Sequence, residues 1–211
     1  MDTAQEITGY ACELFDVAAC SSRLSSGDSL LILGLVSRPD QDLDEFGLLK
    51  GVFQIYGFEK HVSPRLERLL TSIRDKGFHA EAVGWYGYPD GKTLNLKQQA
   101  IRAGLGKRGK NTLVLHPKYG LWLRFAAIRT DAPLELTAAP VPAEEVSPFC
   151  SDCSVCIDVC PVSALEPYHM PNTSLCLSNV SIMPEEHDRL IPCDKCLHMC
   201  QAKGEKGTWA S

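Results

Sequence analysis

No apolar run in the 211-residue chain approaches the roughly 18 residues of a membrane-spanning helix. The best, residues 30–36, is seven residues with Gly34 inside it, which suits a buried strand. No basic residue precedes Arg23, and Asp2 and Glu6 make the start acidic. The charged start of a secretory leader is missing, so a cytoplasmic location without a membrane partner is expected. Cysteine is scarce before residue 150, where only Cys12 and Cys20 occur, both expected as core thiols on a first helix. Acid is missing from residues 91–130, which carry nine Lys or Arg, whereas 149–211 carry eight acids and four bases. The formal charge of −5 is therefore uneven. That excludes a uniformly basic nucleic-acid binder but leaves a local basic face for anionic cofactor groups or an acidic redox partner. Repeats and low-complexity segments are absent, and 45% apolar with 22% charged residues excludes wholesale disorder.

Eight of the ten cysteines fall between Cys150 and Cys200, behind a stretch bearing Pro133, Pro140, Pro142 and Pro148. A boundary is expected near residue 146. Residues 1–145 are long enough to bury a core, whereas 146–211 are few and polar and need metal to fold. Within the first part, helices are expected over 3–21, from Pro64 to a stop at Gly77, and over 94–103. Strands are expected over 29–37, 80–85, 112–116 and 121–130, and the acidic run 40–45 reads as a solvated loop. The class is α+β, with an α/β sandwich first.

Cys150-x2-Cys153-x2-Cys156-x3-Cys160-Pro161 is the bacterial ferredoxin run. Three thiolates on one tight loop face three irons of one cubane, whereas a zinc site commonly takes paired thiolates from two loops. The fourth cysteine of such a run ligates the other cluster in two-cluster ferredoxins. A second set follows: Cys176, then Cys193-x2-Cys196-x3-Cys200. Crosswise pairing assigns all eight. Cys150, Cys153, Cys156 and Cys200 hold one [4Fe–4S] cluster; Cys176, Cys193, Cys196 and Cys160 hold the other. A zinc pair or a disulfide framework is the alternative. In a reducing compartment ten cysteines point to metal or catalysis before disulfides.

Gly104-Leu105-Gly106-Lys107-Arg108-Gly109 matches the dinucleotide pattern G-x-G-x-x-G, but that fingerprint needs a strand before it and a helix after it. Here the order is reversed. The same residues nearly spell a P-loop, with Asn111 where Ser or Thr would hold magnesium. A glycine turn capping a helix is the default reading. A loop that lets a cofactor approach its backbone stays open beside it.

These motifs carry a resemblance. Ala103-Gly104-Leu105-Gly106, Gly109-Lys110-Asn111-Thr112-Leu113, His116-Pro117-Lys118-Tyr119-Gly120 and Thr130-Asp131, followed by the cysteine block, resemble the epoxyqueuosine reductase family and its reductive dehalogenase relatives. The resemblance spans roughly residues 30–210. It implies a nitroreductase-like α/β domain binding cobalamin, then a small ferredoxin-like domain whose two [4Fe–4S] clusters feed the corrinoid electrons. By position, Gly104, Leu105, Gly106, Gly109, Lys110 and Asn111 would line the corrinoid pocket. Asp90, in the turn sequence Pro-Asp-Gly, would stand for the tRNA enzymes' catalytic aspartate, and Tyr86 and Tyr88 are rival proton donors.

The function expected is an oxidoreductase that passes electrons from two clusters to a bound corrinoid and reduces a small substrate. The alternative is an electron-transfer protein that reduces a cofactor on a partner corrinoid protein. The expected donor is a low-potential carrier such as ferredoxin or flavodoxin. Because the chain stops at Ser211, without the helical-repeat extension of the tRNA enzymes, tRNA is not expected as a substrate.

Overall fold

Helix α1 (Thr3–Leu14) buries Ala4, Ile7, Ala11 and Leu14, the spacing of one helix face. The helix expected to reach residue 21 ends there, and β1 (Val17–Arg23) runs antiparallel to β2 (Ser29–Val36). Tertiary pairing overrides the helical pattern. A Cβ on Gly34 would lie 2.5 Å from Val17 Cγ2, so glycine is what lets Val17 cross β2. Cys20 consequently lies buried on β1, not on α1, while Cys12 is exposed rather than a core thiol. These facts come from a computed structural model that describes residues 2–23, 26–50, 52–84, 94–137, 142, 145–183 and 189–202.

β3 (Phe46–Leu49) and β4 (Val52–Gln54) form a hairpin for which the sequence pattern offers no signal. α2 (Tyr56–His61) and α3 (Ser63–Asp75) follow, α3 with its proline in the first turn and Leu66, Leu69, Leu70 and Ile73 buried. Next come β5 (Ala80–Ala82), α4 (Leu96–Arg102), β6 (Lys107–Arg108), β7 (Val114–Leu115) and β8 (Leu123–Thr130). The first sheet has the order β1-β2-β8-β5 and is antiparallel throughout.

β2 is buried along its whole length, and alternate residues serve opposite faces. Leu31, Leu33 and Leu35 join α1 and α3, while Leu30, Ile32 and Val36 join Leu96, Ala100 and Ile101 of α4. At roughly 25 cal/mol per Å² of apolar surface, each such fully buried side chain stabilises the fold by about 1.5–3 kcal/mol.

Beyond residue 145 the elements are short: a 3₁₀ turn (Pro148–Cys150), α5 (Val155–Asp158), α6 (Thr173–Leu177), β9 (Val180–Met183), β10 (Arg189–Pro192) and α7 (Lys195–His198). A second sheet, β4-β3-β10-β9, joins the two parts of the chain, with Arg189 opposite Gly47 and Leu190 opposite Phe46. It crosses the boundary expected near residue 146. The class is mixed α+β. No helix among the described residues is long and apolar enough to cross a membrane.

Candidate functional site

A cavity of about 940 Å³ lies where the two sheets and the cysteine segment meet. That is the upper end of the range for small-molecule and cofactor sites. Its walls are mostly apolar, with Trp122, Leu123 and Phe125 on one side and Phe46, Phe53 and Leu190 on the other. The acidic run expected as a solvated loop supplies part of this wall, since Asp42 and Asp44 line the cavity and Leu43 is buried. Arg124 is the reason. Its Nε donates to Asp44 Oδ1 at 2.7 Å and its Nη2 pairs with Oδ2, a two-point clasp that holds the loop against β8. Burial, and then the charges of Asp44 and Glu45, raise the Asp42 carboxyl above the usual range, against the Asp44 N–H bond and Arg189.

Cys176 of α6, Cys193, and Cys196 of α7 also line the cavity; of the eight clustered cysteines, only these do. The thiols fall into two electrostatic neighbourhoods. Burial, followed by Cys150, Cys200 and Cys153, pushes Cys156 up to about 11. Burial, followed by Cys176, Cys156, Cys193 and Cys160, pushes Cys196 up to about 12. Cys176 is raised by burial, Cys160 and Cys193. Of these three, Cys156 and Cys176 have neighbours from their own crosswise set, whereas Cys196 feels Cys176 first and then Cys156 of the other set. The Ala164 N–H donates to Cys160 Sγ at 3.3 Å, the type of hydrogen bond that tunes a cluster thiolate.

Among the described residues, no three or more His, Cys, Asp or Glu side chains gather closely enough to hold a single metal ion. One zinc, with Zn–S near ~2.3 Å, draws its thiolates to within roughly 4 Å of each other. A cubane spreads its thiolates over four iron corners. Eight thiols in two neighbourhoods are a donor set of the number and kind that two such cubanes take.

The glycine turn sits elsewhere than against open cavity. Gly104, at φ +75°, follows α4; its N–H bonds Ile101 O and the Leu105 N–H bonds Ala100 O, both at 2.9 Å. This is the paired bond pattern of a Schellman cap. A Cβ on Gly106, at φ +156°, would lie 2.6 Å from Leu115 O, and one on Gly109 would lie 2.8 Å from Asn111 Oδ1. The close approach that these glycines permit is to the chain's own β6–β7 hairpin. Of the six turn residues, Asn111 alone lines the cavity; Gly104, Leu105, Gly106, Gly109 and Lys110 do not. Lys110 instead joins the two halves, its Nζ donating to Ser151 O at 3.0 Å and its carbonyl accepting from the Tyr168 N–H at 3.1 Å.

Tyr86, Tyr88 and Asp90 lie outside the described residues. His116 is structural: its Nδ1 accepts from the Lys118 and Tyr119 N–H groups at 3.1 Å, and burial lowers its pKa. His198 meets the Trp122 ring edge-on at 5.3 Å and holds Asp194 Oδ2 at 2.7 Å, so both rings belong to the cavity wall. Arg124 and Lys97 lie in the basic stretch 91–130 but were not singled out within it, and both line the cavity. The available signals were one of two arginines in a mostly apolar strand and a lysine in a helix's first turn.

No family model matches the chain. A curated relative from Listeria monocytogenes, named epoxyqueuosine reductase, is 34% identical over 110 residues, or 48% of this chain and 27% of the relative. The chain spans 27% to 40% of the length of the first curated relatives. A crystal structure of epoxyqueuosine reductase with an epoxyqueuosine-modified tRNA stem loop shares the fold at a TM-score of 0.63, with 18% identity over 94% of this chain and 64% of that one. A catabolic reductive dehalogenase bound to 3-bromo-4-hydroxybenzoic acid does so at 0.60, with 13% identity over 95% of this chain and 32% of that one. The chain is thus similar in sequence to epoxyqueuosine reductases and has a fold like theirs and like that of reductive dehalogenases. The expectation against tRNA is corrected here, because a structural neighbour holds a tRNA stem loop.

Proposed function

We propose that this chain is the reducing core of an oxidoreductase of the epoxyqueuosine reductase type, acting on an epoxide carried by a tRNA nucleoside. The observation that carries the reading is the juxtaposition of Cys176, Cys193 and Cys196 with a cofactor-sized cavity. Cys150, Cys153, Cys156 and Cys200 would hold the outer [4Fe–4S] cluster, and Cys160, Cys176, Cys193 and Cys196 the one bordering the cavity. A corrinoid in the cavity, when bound, supplies a low-valent metal that joins single-electron delivery to a two-electron reduction.

The chain's own residues contribute binding, exclusion of water and protons. Trp122, Phe46, Phe53 and Leu190 offer apolar faces suited to a flat macrocycle, and the Arg124–Asp44 clasp fixes the wall that carries them. Removing an epoxide oxygen as water takes two electrons and two protons. Asp42, half-buried on the cavity wall with a raised pKa, is placed to hold one proton at its carboxyl. Asp90, Tyr86 and Tyr88 are proposed for the substrate side. Anaerobically loaded protein, with a chemical reductant and an epoxide-bearing tRNA stem loop, is expected to yield a nucleoside lighter by one oxygen atom. An unchanged nucleoside with fully loaded protein would refute the substrate assignment.

A further inference from the structure

Lys97 stands where a cation is disfavoured four times over. It occupies the first turn of α4, the positive end of that helix, and the turn carries no acid. Its side chain is half-buried on the wall of the cavity that Cys176, Cys193 and Cys196 also line. Arg108 and Arg124 are its charged neighbours, and the Arg124 charge is already taken up by Asp44. Among the described residues no carboxylate lies within ion-pair distance of Lys97, and it makes no hydrogen bond to another described residue. Burial first, and then the two arginines, lower its pKa. Among the described residues, the one influence that favours its charge is the sulfur of Cys176. A half-buried lysine with no described partner is costly unless an anion completes the site.

We propose that Lys97 is the counter-charge of the cavity-side cluster, raising that cluster's reduction potential above that of the outer one and so drawing electrons toward the cavity. The inference rests on the two-cluster reading. A [4Fe–4S] centre held by four thiolates is anionic, and it gains a further negative charge when an electron from an external one-electron reductant takes it from the 2+ to the 1+ state. A neighbouring ammonium stabilises the reduced form more than the oxidised form, since attraction grows with the cluster's charge and is little screened at a desolvated site. Charge and hydrogen bonding around a cluster are among the levers that set its potential. Lys97 acts through the cluster, as a positioning charge, and touches no substrate.

The test is an anaerobic redox titration of the iron-loaded full chain, followed by electron paramagnetic resonance. Wild type, Lys97→Met and Lys97→Arg are compared, with iron and sulfide assayed on each. Lys195→Met is the control, because Lys195 adjoins Cys196 but is exposed and screened by water. In Lys97→Met the higher of the two midpoints should fall, with a roughly tenfold drop in the reduced-to-oxidised ratio at fixed potential, about 59 mV for one electron. The lower midpoint should stay in place, Lys97→Arg should restore the higher one, and Lys195→Met should move neither. Should the Met variant take up less iron, Lys97→Gln is titrated in its place. Unmoved midpoints in an iron-replete neutral variant, equal movement of both, or movement of the lower one alone would overturn the proposal. Wild type that binds no iron–sulfur cluster would instead overturn the two-cluster reading beneath it.

Discussion

Gly106 shows how much one hydrogen atom decides. Its φ of +156° disfavours any side chain, and a Cβ would press on Leu115 O. Gly106→Ala should therefore destabilise the protein by roughly 1–3 kcal/mol with or without any cofactor. Thermal melts of the cofactor-free protein check this, and an unchanged melt would mean that the hairpin yields freely. The clustered thiols make a second prediction. Cys156 and Cys196 are raised from 9.0 to about 11 and about 12, so folded apoprotein keeps protons that the unfolded chain loses as pH climbs past about 9. Bound protons in excess on the folded side mean that stability falls with rising pH across that window. Apoprotein should melt lower at about pH 10 than at about pH 8, and iron-loaded protein, its thiolates committed to metal, should lose far less. Parallel pH dependence in both forms would sink the argument.

Among the elements, α7 carries the prediction that tests the crosswise sets. It delivers Cys196 to the cavity side, and the chain then leaves it to place Cys200 among Cys150, Cys153 and Cys156. Cys200→Ala should damage the outer cluster and spare the cavity-side one. Loss of the reverse cluster, read from the two resonance signals, would require a different pairing. Elements whose pattern depends on their own residues were legible: β2 and β8 as apolar runs, α3 from its proline start to Gly77, and α4 with its glycine cap. β1 and the β3–β4 hairpin were not, because pairing partners elsewhere in the chain decide them. Val17 is a strand residue on account of Gly34, and Phe46 on account of Leu190. The cysteine spacing is legible because it encodes how a tight loop presents thiolates, and the division into two sets is the proposal that Cys200→Ala tests. The cavity wall was not, since its clasp joins Asp44 to Arg124 across 80 residues.

At the scale of the whole molecule, the second sheet ties the cysteine segment to residues 46–54, and the β6–β7 hairpin ties it again through Lys110 and the Arg108–Val146 bridge. The cysteine segment and the cavity are thereby held in one frame, as the proposed electron transfer over a fixed gap requires. The account stands or falls on what that frame holds. Iron, sulfide, zinc and cobalt are to be assayed on the 211-residue chain reconstituted anaerobically with excess cobalamin and then stripped of unbound cofactor. About eight irons and eight sulfides, with about one cobalt per chain, are the predicted result. Zinc in place of iron, or full iron with no retained cobalt, would contradict it.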